Sequence, residues 1–365
     1  MAKDKIGVAL VGYGLAGEVF HAPLVKATPS LEIAVITTNN PERMEKAQAA
    51  FPNAKIFASL EAAIVEGSDL FELVVIASPN KFHAPQAKAA LNAGKSVVVD
   101  KPFAINSEEC REIIELGKST GKLVTVFQNR RWDNDFLTIK KLIKEKTLAN
   151  IVRFESRFER FRPTLDSKKW RETTGAEEGG GLLFDLGSHL IDQACHLFGT
   201  PVSVYCELNK RRPGVESDDD AFVALEFKNG ERAHIYANIA SAIPGPRFRV
   251  LAMNGGYEKY GLDPQEDALR KGSAPGQAGW GVEDKSMSGK LGHEKDGGLI
   301  VDTLVSEKGQ YEKFYAAVGD AIVHGEKNPV DPHDALLTIQ IIELARKSAQ
   351  QGTKLEFNEL VPATL

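Results

Sequence analysis

Between residue 5 and about residue 125, short apolar runs alternate with longer stretches whose apolar positions recur at helical spacing. The runs Ile6 to Val11, Glu32 to Thr37, Leu73 to Ala77, Ser96 to Val99 and Leu123 to Phe127 are rich in valine and isoleucine, as strands of a parallel sheet covered on both faces must be. They predict a doubly wound βαβ series. Beyond about residue 128 the period changes. A helix from Asp135 to about Lys146 precedes runs that alternate apolar and polar residues: Ile151 to Phe158, Val202 to Leu208, Ala221 to Phe227, Ala233 to Ile239 and Phe248 to Ala252. Alternation of this kind marks a largely antiparallel sheet with one covered face, and Asn229-Gly230 between two runs is a hairpin signal. Residues from about 262 to 296 are rich in Gly, Lys, Asp and Ser and read as a long loop. Helical patterns from Tyr311 to about His324 and from Pro332 to about Gln350 close the chain. The expected fold is α/β, with a parallel-sheet domain over residues 1–127 and an α+β domain with a large, mostly antiparallel open sheet over residues 128–365. The last helix is a candidate to pack back on the first domain.

Composition narrows the function classes. At 365 residues the chain is too long for one comfortable core, which supports two domains. A formal net charge of -5 with no basic block lacks the footprint that phosphate backbones require, so nucleic acid is not an expected partner. Cys110, Cys195 and Cys206 are an odd number without a Cys-x-x-Cys pair, which argues against a disulfide framework and a thiolate metal cluster and for a reducing cytoplasm. Lys3 and Lys5 before an apolar run imitate a secretory signal, but the run breaks at Gly12 and meets Glu18 and His21. No stretch of about 18 apolar residues offers a membrane span, so a soluble cytoplasmic protein is expected.

The segment Gly12-Tyr13-Gly14-Leu15-Ala16-Gly17 follows the first strand and opens a helix, the context in which this glycine spacing binds a dinucleotide. Gly12 permits the tight turn, Gly14 lets a pyrophosphate approach the backbone, and Gly17 lets helix and strand pack closely, while the helix N-terminus offers unpaired N–H groups to anionic oxygens. The first domain is therefore a Rossmann domain. An NAD site carries a carboxylate at the end of the second strand, where this chain has Thr37-Thr38-Asn39-Asn40. With Arg43 one turn into the next helix, NADP is the expected cofactor and NAD the alternative, in which case Arg43 is only a solvated helix charge.

Lys101, in Asp100-Lys101-Pro102, lies at the carboxyl edge of the sheet, where ligands of doubly wound folds bind. There it can hold a substrate hydroxyl and lower the cost of its deprotonation. After Gly179-Gly180-Gly181 comes a helix on which Asp185, His189, Asp192 and His196 are spaced by four, three and four, predicting one stripe. His189 with Asp185 suits a general base, whereas Asp192 and His196 read as structural partners. A zinc site using His324 or His333 competes with this reading, although the His-Glu-x-x-His spacing is absent.

With these motifs in place the chain resembles the glucose-fructose oxidoreductase, inositol dehydrogenase and MocA family over nearly its whole length. The strings Asn129-Arg130-Arg131-Trp132-Asp133-Asn134-Asp135-Phe136, Asp185-Leu186-Gly187-Ser188-His189 and the run from Tyr260-Gly261-Leu262-Asp263-Pro264 to Arg270 are similar to the branch that contains NADP-dependent scyllo-inositol dehydrogenases. The resemblance implies a catalytic trio of Lys101, Asp185 and His189. It also implies cofactor contacts at the Gly12 loop, Ser78, Pro79, Asn80, His83, Asp100, Asn129, Trp170 and Arg171, while for a polyol pocket, which needs many donors and acceptors, Arg131, Trp132, Arg160, Arg162, Asp192, His196 and Tyr260 are available. The family usually has Glu-Lys-Pro where this chain has Asp100-Lys101-Pro102, a side chain one methylene shorter, and its members often hold the Lys-Pro bond cis. The substrate implied is a cyclic polyol or sugar, with scyllo-inositol and its keto partner foremost and another sugar, a lactone or a dihydrodiol as runner-up. A homodimer or homotetramer is implied as well. The same fold also serves non-catalytic dinucleotide sensors, and the intact trio favours an enzyme.

Overall fold

The computed structural model describes residues 5–166 and 170–357, and the chain divides into two compact units. The first consists of residues up to Asp133 together with Pro264–Val282 and Gly309–Leu336; the second comprises the rest.

In the first unit, strands Ile6–Val11 (β1), Leu31–Thr37 (β2), Lys55–Phe57 (β3), Leu73–Ile76 (β4), Ser96–Asp100 (β5) and Val124–Phe127 (β6) form a fully parallel sheet in the order β3-β2-β1-β4-β5-β6. Strands β1, β4 and β6 are buried along their whole length, the condition that made them legible as unbroken apolar runs. Only β3 escaped the pattern, because three residues carry no period. Helices Ala22–Lys26 (α1), Pro41–Ala50 (α2), Leu60–Gly67 (α3), His83–Asn92 (α4) and Ser107–Thr120 (α5) cross between the strands. Asn40, Ser59 and Asn106 cap α2, α3 and α5 by accepting from backbone N–H groups, which fixes where each helix starts.

The second unit opens with helix Asn134–Lys144 (α6), followed by strand Ile151–Glu159 (β7). A short helix Trp170–Thr173 (α7) and helix Ser188–Phe198 (α8) precede strands Pro201–Asn209 (β8), Asp220–Phe227 (β9), Arg232–Asn238 (β10), Phe248–Ala252 (β11), Gly255–Lys259 (β12), Gly289–Lys295 (β13), Gly298–Leu304 (β14) and Leu355–Glu356 (β15). The nine-stranded sheet runs β14-β13-β12-β11-β7-β10-β9-β8-β15 and is antiparallel except at the β10–β7 pair. Helices Gln265–Arg270 (α9) and Glu312–His324 (α10) belong to the first unit, and helix Pro332–Gln351 (α11) contributes to both.

The segment from 262 to 296 is more ordered than its composition suggests. It contains α9 and ends in β13, which pairs with β12 and β14. The strand was hidden because its sequence, GKLGHEK, has few apolar positions and only its first residue is buried. Among the described residues no helix is long and apolar enough to cross a membrane.

Candidate active site

The order of the parallel sheet reverses between β1 and β4, and the carboxyl ends of these strands and of β5 carry the expected cofactor residues. Gly12, just past β1, has φ +93°, and a side chain there would stand 2.8 Å from the Ala77 carbonyl oxygen. At Gly17 a side chain would be driven into the Gly12 carbonyl, so both positions require glycine for close packing of the backbone. Gly14 differs, because the nearest atoms a Cβ there would meet belong to the Arg43 guanidinium, 3.5 Å away at ordinary contact distance. The backbone above Gly14 is open, and a cation reaches over it from α2. Tyr13 is buried and Leu15 half-exposed, so the loop presents backbone at Gly14 and an apolar side chain beside it. The helix after the loop begins with a π-helical turn, Ala16–His21, that has no side-chain cap and passes into α1. The Glu18 N–H in this turn donates to the Gly14 carbonyl at 2.8 Å, no side chain competes for the N–H groups before it, and the glycine cradle with Arg43 fits a dinucleotide phosphate. The place of the missing acid is taken by buried Thr37 and Thr38 and exposed Asn39, while Asn40 is spent on capping α2.

Beyond β4, the Ser78 hydroxyl donates to Gln86 at 2.7 Å, Pro79 is exposed, and Asn80 is buried. Asp100 ends β5 and Lys101 follows it, and the Lys101–Pro102 peptide is cis. Lys101 is half-buried. After β6, Asn129 begins a single 3-10 turn to Trp132. Arg130 donates to Tyr311 at 2.9 Å and pairs with Glu266. Arg131, expected on substrate, is 4% exposed and donates to Asp334 at 3.0 Å, an attachment within its own unit. Burial alone would raise the Glu266 carboxyl, but Arg130 and Arg270 outweigh it and hold it at about 2.

In the second unit the triple glycine leads into a π-helical turn, Leu183–Gly187, and then α8. Gly181 has φ +98°, and a side chain there would strike the Asp218 carboxylate. That carboxylate accepts the Leu183 N–H at 2.7 Å, and the Asp218 backbone carbonyl accepts the Leu182 N–H at 2.9 Å. Burial raises the Asp218 carboxyl above its usual range despite Leu183 and Arg346 beside it. Of the residues expected on one stripe, His189, Asp192 and His196 lie on the regular helix α8, and Asp185 lies in the π turn before it. A π turn holds more residues than an α turn, so Asp185, inside it, is displaced from the α-helical register of the other three. Asp185 is half-buried, His189 is 6% exposed, Asp192 is 2% exposed, and His196 is exposed near the far end of the helix. The His189 ring stands edge-on to Phe158, their centroids 6.4 Å apart.

Sequence reasoning missed what supports α8. Buried Arg247 donates to Ser156 at 2.6 Å and to Gln193 at 3.0 Å, with its guanidinium over Phe158 and Phe248. It therefore links α8, through Gln193, to β7 and to the ring against His189. Arg247 stands just before the run Phe248 to Ala252, and nothing in the sequence marks it as buried. Trp170 and Arg171 start α7, but their side chains lie outside the described residues. Arg162 and Tyr260 are exposed. Among the described residues no three His, Cys, Asp or Glu side chains gather as a metal site.

Comparison with known proteins agrees with this layout. Residues 6–128 match the model for the oxidoreductase family NAD-binding Rossmann fold, and residues 140–357 match the oxidoreductase family C-terminal alpha/beta domain. The chain is 40% identical over 354 residues to the uncharacterized oxidoreductase YdgJ of Escherichia coli, covering 96% of this chain and 99% of that one. It is 35% identical to the scyllo-inositol 2-dehydrogenase (NADP(+)) IolW of Bacillus subtilis, covering 95% of each. The solved structure of YvaA from Bacillus subtilis superposes with a TM-score of 0.92 at 34% identity, covering 98% of this chain and 100% of that one. An NAD(P)-binding glycine cradle, a lysine at the sheet edge and a helix-borne histidine thus stand within two matched domains, and the chain belongs to the Gfo/Idh/MocA oxidoreductase family.

Proposed function

We propose that the protein is an NADP-dependent dehydrogenase of a cyclic polyol, with scyllo-inositol and its 2-keto partner as the substrate pair. The observation that carries this reading is Arg43 over Gly14 where the second strand ends without a carboxylate. A guanidinium there can pair with a 2'-phosphate, and no acid repels it. The similarity to IolW supports both NADP and the polyol.

Residues Gly12 to Gly17, Arg43, Ser78, Asn80 and Asn129 would hold the cofactor, whose nicotinamide accepts a hydride from carbon or returns it. His189 takes the hydroxyl proton of the secondary alcohol as its carbon-bound hydrogen leaves, and the C–O bond becomes a carbonyl. Lys101 steadies the negative charge developing on oxygen, and Asp185 orients the imidazole and compensates its positive charge, each effect contributing a few kcal/mol. In the reverse direction His189 is the acid. Exposed Leu299 and Val301 on β14 support association through the sheet of the second unit into a dimer or tetramer, which light scattering would measure.

The test is absorbance at the reduced-nicotinamide band with NADP or NAD and a panel of inositols and sugars, repeated with Arg43→Ala. We expect NADP-dependent oxidation of scyllo-inositol, and a loss of NADP affinity of about tenfold or more in the variant with NAD affinity unchanged. Turnover only on a lactone, aldose or dihydrodiol replaces the substrate, and NADP binding without turnover on anything makes the protein a sensor.

A further inference from the structure

The bend that carries Lys101 is gripped from both sides by groups that the proposed reaction does not consume. On one side the Asp100 carboxylate accepts the Lys101 backbone N–H at 2.9 Å. On the other, the Pro102 carbonyl oxygen lies 2.8 Å from Nδ1 of His83, whose Nε2 lies 2.9 Å from the Ser78 carbonyl oxygen. A carbonyl oxygen can only accept, so each contact is a hydrogen bond only when the ring nitrogen bears a proton. Both are satisfied together by an imidazolium. His83 is fully buried, and a buried cation requires a nearby opposite charge, which Asp100 supplies.

Asp100 is backed in turn by His21, also fully buried, whose Nε2 stands 3.7 Å from Asp100 Oδ1. The other nitrogen, Nδ1, is 2.6 Å from the Tyr315 hydroxyl of α10. The Asp100 carboxylate facing Nε2 favours a ring proton there, which leaves Nδ1 to accept from the Tyr315 hydroxyl, a phenol that burial and the Asp100 charge push far above its usual range. The ring proton of His21 is then on Nε2, facing the carboxylate. Phe127 lies 4.4 Å from the His21 ring, and Phe314 packs behind Phe127, closing the cluster. The groups facing Asp100 are His21 from the π turn after the glycine loop, His83 from α4, Lys101 of its own bend and Tyr315 from α10. Burial alone would raise the Asp100 carboxyl, and His21, Lys101 and His83 together hold it below its usual range.

We propose that His83, Asp100, His21 and Tyr315 are positioning residues, a buried brace that fixes the Lys101–Pro102 bend and thereby aims the Lys101 ammonium. The inference rests on the reading of Lys101 as the group that steadies the substrate oxygen. Asp100, expected on the cofactor, here serves the protein's own backbone.

The brace is tested on the full chain with ring-¹⁵N histidine, which gives eight imidazoles to be assigned with His21→Gln and His83→Gln. At neutral pH His83 should show two protonated nitrogens, and His21 a protonated Nε2 with a hydrogen-bonded lone pair on Nδ1. Tyr315→Phe, which removes one hydroxyl, should move the His21 signals, lower kcat about tenfold and leave the NADP dissociation constant within about twofold. A lone-pair nitrogen on His83, or wild-type kcat in Tyr315→Phe, overturns the brace. If the wild-type protein oxidises no polyol, the substrate reading falls while the histidine spectra still decide the brace.

Discussion

Among the described residues, glycines give way to a π-helical turn and then an α-helix in two places, and they are finished in opposite ways. After Gly12 the helix N-terminus has no side-chain cap, and the side chain nearest the space above Gly14 is Arg43 from α2. After Gly181 the N-terminal N–H groups are already taken by buried Asp218, the same carboxylate that fills the space a side chain at 181 would need. The first is left open for a ligand's anion, and the second is closed by an internal one and presents side chains instead, Asp185 and His189. A glycine-rich entry to a helix does not by itself mean phosphate binding; what matters is whether the fold supplies its own carboxylate.

This contrast can be broken by substitutions that separate binding from chemistry. His189→Ala and Lys101→Ala should each lower turnover by about 10²- to 10⁴-fold while NADP titration by fluorescence stays near wild type. The two carboxylates then report opposite electrostatics. Glu266, held at about 2, contributes stability that is complete above the ordinary carboxylate range and is lost as pH falls through its folded value. Glu266→Gln should therefore cost about 3 kcal/mol at pH 7 and little in strong acid, by denaturant unfolding at both pH values. Gly181→Ala should cost about 2 kcal/mol, from a strained positive φ and a collision with Asp218, without changing NADP affinity. Asp218 shows the smallest effect and the opposite sign. With its folded value raised, its favourable contribution is complete below the ordinary carboxylate range and is lost as pH rises through that folded value. Asp218→Asn keeps an acceptor for the Leu183 N–H and should gain up to about 1 kcal/mol relative to wild type between acid and neutral pH.

How much of this was legible depends on how local each constraint is. Strand β1 was readable to the residue, because burial on both faces demands an unbroken apolar run and the glycines mark its end. The helix carrying His189 was readable from its period, but its π turn was not, since one extra residue in a turn leaves no compositional trace. Strands β12 and β13 were lost because glycines and charges replace alternation, although Asp296-Gly297 between β13 and β14 is a hairpin signal that was present and unused; both residues have positive φ. The Tyr315–His21 contact joins residues 294 apart, and nothing near either announces the other.

The most direct measurement is a parallel NADP titration and turnover assay of Gly12→Ala and His189→Ala. A side chain at Gly12 collides with the Ala77 carbonyl in a backbone conformation that alanine adopts only with strain, so the first variant should lose NADP affinity by about tenfold or more. The second should bind NADP as wild type does and fail to turn over. Equal loss of NADP binding in both, or full turnover in His189→Ala, would contradict the division between an open, cofactor-binding helix entry and a closed, catalytic one.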